Sequence, residues 1–266
     1  MAKGLVIALW SPKGGVGKTL LAVAVALRLS ERHRTAIIDG NADNPDLVTL
    51  LQSAGLPNIG TWPGRVAPEE IENHLVRWAS RLFVLPGPAR FIDEAVLSGE
   101  AMEAAVRSLA DAGMHVVVDL CTGLRDSTLV ALDLADWVLM PVTPDLLALT
   151  PLKRIARELD FLRLPAGKFR IVVNRVSEGQ EIGTADIREL SPFPVVGEVP
   201  SCRQAAQAIN RGDLQAALAA STPVGKAAAA LLRGIVETDA APQPAAPPFG
   251  AGLLSRLWPI AGREGA

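Results

Sequence analysis

Residues 5–30 read LVIALWSPKGGVGKTLLAVAVALRLS. A short apolar run, 5–10, meets a turn rich in Pro and Gly, and residues 18–30 then repeat apolar side chains at helical spacing. The stretch therefore reads strand, loop, helix. Such a turn wraps successive backbone N–H groups around an anion, and the helix N-terminus adds unpaired donors and its positive end. It reads as a phosphate cradle. Gly14, Gly15 and Gly17 allow close approaches that a Cβ would obstruct, Lys18 reaches β- and γ-phosphates, and Thr19 offers its hydroxyl to Mg²⁺.

The same alternation continues along the chain. Short β-branched runs at 35–39, 82–85, 115–120, 137–142, 169–174 and 194–199 are separated by helical patterns that include 92–112, 146–162, 203–211 and 223–236. Buried strands alternating with helices predict a doubly wound α/β fold, with a mainly parallel sheet of about seven or eight strands covered on both faces. At 266 residues and 49% hydrophobic, the chain holds one large domain with a sizeable core and is no disordered chain. Lys+Arg 26 against Asp+Glu 28 leaves no basic excess to drive nucleic-acid binding. Two cysteines, Cys121 and Cys202, make neither a disulfide framework nor a four-ligand zinc set, which predicts a reducing cytoplasm. No run reaches the roughly 18 apolar residues of a membrane span, and no secretory leader is expected.

The usual GxxxxGK[ST] string is not fully met, because Pro12 stands where its first Gly would be, and Lys13 is an additional lysine within the loop. With xKGGxGK[ST] at 12–19, the chain resembles the deviant Walker ATPases of the MinD and ParA family over most of residues 3–237. The resemblance implies that Lys13, Gly14, Gly15, Val16, Gly17, Lys18, Thr19 and Leu20 bind ATP with Mg²⁺. It also implies that Lys13 reaches the nucleotide of a second copy in an ATP-dependent homodimer. A second ammonium near the γ-phosphate would offset transition-state charge, as an arginine finger does.

Ligands of a parallel sheet lie beyond the carboxyl ends of its strands, which makes Asp39, ending AIID, and Asp119, ending HVVVD, site candidates. Strand-end aspartates also cap following helices, so both readings stand. By resemblance, Asp119 is the Walker B aspartate that holds Mg²⁺ directly or through water, with Asp39 and Thr19 completing the metal set. The following DLCTG resembles the family's second switch, DxPxG, with Cys121 replacing its proline and predicting a looser turn. The family's DxD motif is here DGNADNPDL, which puts Asn41 where an aspartate usually orients the attacking water. An amide positions water without taking its proton, so slow hydrolysis, or substitution by Asp43, is expected. The catalytic set is then Lys13, Lys18, Asp39 and Asp43.

IVVNRV and EVPSCRQAAQAINRG, residues 171–176 and 198–212, resemble the family's base-binding region, with Asn174 on the adenine edge and Pro200 beside it. Asparagine is also an ordinary strand-end turn residue. Cys202 is read as a small packing residue, and His33, His74 and His115, at a predicted helix end, in a helix and at a strand start, form no ligand pair or triad. PVTPDLLALTPLKR, 141–154, resembles MinD and its pilus and flagellar positioning relatives, and LPGPAR, 85–90, leans toward CpaE-like proteins. With the loop strand already at residue 5, no receiver-like domain is expected ahead of it.

Past the ATPase domain, 1–238, a Pro/Ala-rich linker at 239–248 leads to FGAGLLSRLWPIAG, 249–262. At roughly 100° per residue, Phe249, Leu253, Leu254, Leu257 and Trp258 share one half of a helical wheel. A helix of about ten residues is marginal alone in water and needs a surface to fold on. It resembles MinD's C-terminal membrane-targeting sequence, implying peripheral attachment to the inner face of the membrane, weak from one copy and reinforced by two. Docking on its own domain or on a protein partner are the other readings. The function implied is a MinD-like ATPase that positions a division, pilus or flagellar apparatus and answers to an activating or cargo protein. The alternatives are a nucleoid-binding ParA-like ATPase using Arg203, Arg211, Lys226 and Arg233, and a nucleotide-dependent scaffold that scarcely hydrolyses.

Overall fold

In the computed structural model, which describes residues 2–41, 45–51, 57–88 and 97–236, the loop strand β1 (Val6–Leu9) leads through the glycine loop into α1 (Lys18–Ser30). There follow β2 (Thr35–Gly40), a short α2 (Asp46–Leu50), β3 (Val76–Arg77) and β4 (Leu82–Leu85). Next come α3 (Gly99–Asp111), β5 (His115–Leu120), α4 (Asp126–Leu134), β6 (Trp137–Val142) and α5 (Leu146–Leu162). The chain continues through β7 (Phe169–Val176), α6 (Thr184–Leu190), β8 (Val195–Pro200), α7 (Arg203–Asn210), α8 (Leu214–Leu218) and α9 (Pro223–Val236).

The eight strands form one sheet in the order β3-β4-β2-β5-β1-β6-β7-β8, parallel throughout except for the β3–β4 pair. Successive side chains of a strand point to opposite faces. Val6, Ala8 and Trp10 accordingly join Ala36, Val116 and Val138 under α3, α4 and α5. Ile7 and Leu9 join Ile37, Val117 and Leu139 under α1, α7, α8 and α9. With both faces covered, β1 and β6 are apolar at every position, and β2 and β5 are apolar between their polar first residues and the aspartates near their ends. Each fully buried Leu or Ile contributes about 1.5–3 kcal/mol to this arrangement. Small side chains on α1, Ala22, Ala24 and Ala26, are all buried and let that helix lie close to the sheet. No helix among the described residues is long and apolar enough to cross a membrane.

Strand β1 lies between β5 and β6, where the winding of the chain changes direction, and a doubly wound sheet gathers its ligands beyond the strand ends at such a point. Leu9 and Asp39 both pair in register with Asp119, so the two carboxylates end adjacent strands beside the loop.

Three expectations need adjustment. The helix read at 92–112 begins at Gly99, because Ser98 is extended and its hydroxyl accepts the Ala101 N–H at 3.1 Å as an N-cap. β7 runs beyond Asn174 to Val176, with a bulge, where the sequence suggested a stop. His74, read within a helix, ends a single 3₁₀ turn, Ile71–His74. Asp43, Arg90, the 239–248 linker and the 249–262 segment lie outside the described residues.

Candidate functional site

The loop between β1 and α1 takes its shape from left-handed glycines, Gly15 at φ 71° and Gly17 at φ 91°. Gly17 starts α1 without a side-chain cap, which leaves the first N–H groups of the helix for a ligand. A Cβ at Gly17 would stand 2.4 Å from Nδ2 of Asn174. That amide nitrogen donates to the Val16 carbonyl at 2.7 Å, while Asn174 Oδ1 accepts the Arg175 N–H at 3.0 Å. Asn174 thus props the loop from below, retaining one amide N–H and one lone pair for anything in the cleft beside it.

Below the cradle lies Asp119. It is buried, and neither carboxylate oxygen has a hydrogen-bond partner among the described residues. Burial raises its pKa to about 7, although the Thr19 hydroxyl and the Lys18 ammonium nearby pull it down. Lys18 is pushed the opposite way for an amine: burial lowers its pKa, and the Asp119 charge resists. The residues present fit Mg²⁺, a hard ion that takes oxygen donors: an orphaned carboxylate and a hydroxyl next to a phosphate cradle. They do so without a closed protein cage, since no cluster of three acidic, His or Cys ligands occurs among the described residues.

Asp39 behaves differently. Its oxygens accept the N–H groups of Asn41 and Leu47, each at 3.1 Å, so it fastens the chain leaving β2 and serves α2. That is the strand-end capping the sequence left open. Burial and the neighbouring Asp119 charge raise its pKa well above the ordinary carboxylate range, with the two N–H donors opposing. Asn41 lines the phosphate-side cleft of about 410 Å³ with Gly14, Gly15, Lys18 and Thr19.

Lys13 projects from the loop to α5's leading edge, where Nζ donates to both carboxylate oxygens of Asp145 at 2.8 Å. Asp145 also accepts from the Thr143 hydroxyl and, at 2.9 Å, from the Ala148 N–H. Partial desolvation would raise the Asp145 pKa, but these donors outweigh it and hold the carboxyl below its ordinary value. Cys121 is buried, with Sγ 3.2 Å from the Thr128 hydroxyl and 3.5 Å from the Gly123 carbonyl, so its turn is tied down where the sequence suggested slack.

On the side that the sequence reading assigns to the base, Asn174, Pro200 and Cys202 line a second cleft of about 280 Å³. Cys202 packs against the apolar cluster under α1, α7, α8 and α9, as read, and in addition caps α7 by accepting the Ala205 N–H at 3.4 Å. The loop residues 13–20, Asp119, Asp39, Asn174 and Pro200 are therefore gathered along one edge of the sheet. Sequence reasoning passed over Asp145 and Arg175. Asp145 carried a signal, an acidic residue at a predicted helix start; Arg175 carried none, because a bulge is invisible in an apolar strand pattern.

A family model described as the CobQ/CobB/MinD/ParA nucleotide binding domain matches residues 7–215. Among curated relatives, the septum site-determining protein MinD of Thermotoga maritima is 26% identical over 222 residues, covering 79% of this chain and 80% of that protein. A ParA family ATPase from Chlorobium tepidum superimposes with a TM-score of 0.76 at 19% identity, over 85% of this chain and 97% of that one. MinD of Pyrococcus horikoshii, solved with Mg-ADP, gives 0.72 at 16% identity, over 87% and 96%. MinD from the Aquifex aeolicus MinC:MinD complex gives 0.73 at 22%, over 88% and 96%.

Proposed function

The chain belongs to the CobQ/CobB/MinD/ParA nucleotide-binding family, and from that premise we propose that it binds and slowly hydrolyses ATP with Mg²⁺. The observation that carries the reading is Asp119, a buried carboxylate without a partner among the described residues, placed beside Thr19 and Lys18 under a glycine cradle. Burial makes this carboxylate costly to ionise, as its raised pKa shows, and a bound cation offsets that cost.

In this reading the backbone N–H groups of 14–19 cradle the phosphates and Lys18 neutralises their charge. Thr19 and Asp119 hold Mg²⁺, with Asp39 behind them, and the bound ion would draw charge from the phosphate oxygens. Asn174 and Pro200 flank the base. Asn41, or Asp43 from two residues on, orients the attacking water. Two copies close face to face on the nucleotide, and Lys13 leaves Asp145 to reach the partner's triphosphate. The chain divides into an ATPase domain at 1–238, a linker at 239–248 and an amphipathic segment at 249–262 that binds the membrane surface. One segment binds weakly, and two on a dimer raise the effective concentration of the second, so nucleotide governs attachment. The dimer then positions a division, pilus or flagellar apparatus under an activating protein.

Co-sedimentation with vesicles containing anionic lipid tests the cycle. The full chain should pellet with a non-hydrolysable ATP analogue and remain in solution with ADP, and chains lacking 249–262 or carrying Lys18→Ala should not pellet. A chain that ignores vesicles with every nucleotide overturns the membrane cycle, and salt-sensitive DNA binding in its place would favour a nucleoid-binding ParA-like role.

A further inference from the structure

The phosphate-side and base-side clefts share four residues, Gly17, Leu20, Arg175 and Ile209, of which Arg175 alone is charged. Its backbone is unusual: φ is 63°, and Arg163 is the other non-glycine residue with positive φ among those described. The left-handed region is one that side chains with a Cβ seldom occupy and that functional sites tend to retain.

The sheet explains the geometry. Asn174 pairs with Val199 and Val176 with Pro200, so Arg175 is the extra residue of a bulge between β7 and β8. A bulge redirects a side chain that regular pleating would point elsewhere. Its N–H is fixed by Asn174 Oδ1, the other end of the amide that props Val16. The bulge and the phosphate loop are therefore held by one side chain. The guanidinium is exposed and makes no ion pair or hydrogen bond with the described residues.

We infer that Arg175 is a further nucleotide-binding residue, contacting the ribose–α-phosphate portion where the two clefts meet. This rests on the nucleotide reading above. Between a base on Asn174 and Pro200 and terminal phosphates on the glycine cradle, any nucleotide places its sugar and α-phosphate at the junction. A guanidinium suits a phosphate there through charge and its fork of donors. Since the α-phosphate is common to ATP and ADP, Arg175 supports both alike.

Binding of ATP, ADP and adenosine to the full chain, compared with its Arg175→Ala, Arg175→Lys and Arg175→Gly variants, tests this. Arg175→Ala should weaken ATP and ADP by the same factor, about tenfold, with a smaller factor at high salt; Arg175→Lys should recover part of the loss. Glycine suits the left-handed backbone, so Arg175→Gly should melt at or above the wild-type temperature yet lose the same affinity. Wild-type affinity in Arg175→Gly would overturn the inference while leaving the nucleotide reading intact. A loss as large for adenosine as for ADP, unrelieved by lysine, would overturn the phosphate assignment in favour of stacking on the base. A wild-type chain that binds no nucleotide would remove the nucleotide reading, and this inference with it.

Discussion

The amide of Asn174 donates to the carbonyl of Val16 at 2.7 Å, joining positions 158 residues apart in the chain. The end of β7 thereby buttresses the phosphate loop, in the space that Gly17's missing side chain leaves. Loop shape is thus a property of the sheet as well as of the glycines.

Gly17→Ala tests that coupling. The new methyl group would meet Asn174 Nδ2 at 2.4 Å in a left-handed backbone, φ 91°. It should lower stability by about 1–3 kcal/mol and weaken ATP binding by roughly a hundredfold or more. Gly14→Ala, whose Cβ meets only Thr122 Cγ2 at 3.9 Å, should leave the melting temperature nearly unchanged. Thermal melts alongside nucleotide titrations check both.

Lys13 and Asp145 make a largely solvated pair, 31% and 40% exposed, so it adds at most about 1 kcal/mol to stability. Its consequence lies in dimerisation, because the proposed dimer needs Lys13 elsewhere. Asp145→Asn keeps an acceptor for the Ala148 N–H and discards the charge. It should melt like the wild type and dimerise at lower protein concentration with an ATP analogue, as followed by analytical ultracentrifugation. Weaker dimerisation would show that Asp145 works within the dimer.

Asp119 gives a pH dependence of definite sign. Its folded pKa of about 7 lies above the ordinary 3.8, so the folded chain keeps a proton that the unfolded chain releases. Stability without ligand therefore falls as pH rises between roughly 4 and 7 and levels off above, by at most about 4 kcal/mol from this group. Asp39 is shifted in the same direction. Asp119→Asn should melt several degrees higher than wild type at pH 8, with a shallower dependence on pH. It should also lose the stabilisation that Mg-ATP gives the wild type. Calorimetric melts from pH 5 to 8 would show both.

Asn41 stands at the phosphate-side cleft, its N–H held by Asp39. Asn41→Asp should raise single-turnover ATP hydrolysis about tenfold or more, since a carboxylate can accept the water's proton. Unchanged turnover, with loss on Asp43→Ala, would assign the water to Asp43.

The layout of the sheet was legible because period-two and period-3.6 patterns are strong in buried strands and helices. Strand limits at 82–85, 115–120 and 137–142 and helix limits at 18–30 and 223–236 match the sequence reading residue for residue. Short elements were not legible. α2, α6 and α8 span too few turns to show a period, and β3, two residues long, exists only by pairing with β4. At the site, the glycines, Lys18, Thr19 and Asp119 could be read because each carries its chemistry in its identity and spacing. Arg175 could not be, because a register shift aims it, and the helix-start position of Asp145 did not disclose the salt bridge that recruits it across 132 positions.

Calorimetric titration of the full chain with Mg-ATP, beside Lys18→Ala, tests the central claim most directly. Wild type should bind one nucleotide per chain, and Lys18→Ala should bind none at the same concentrations. Absence of wild-type binding, or equal binding by both proteins, would contradict the assignment of residues 11–19 as the phosphate cradle.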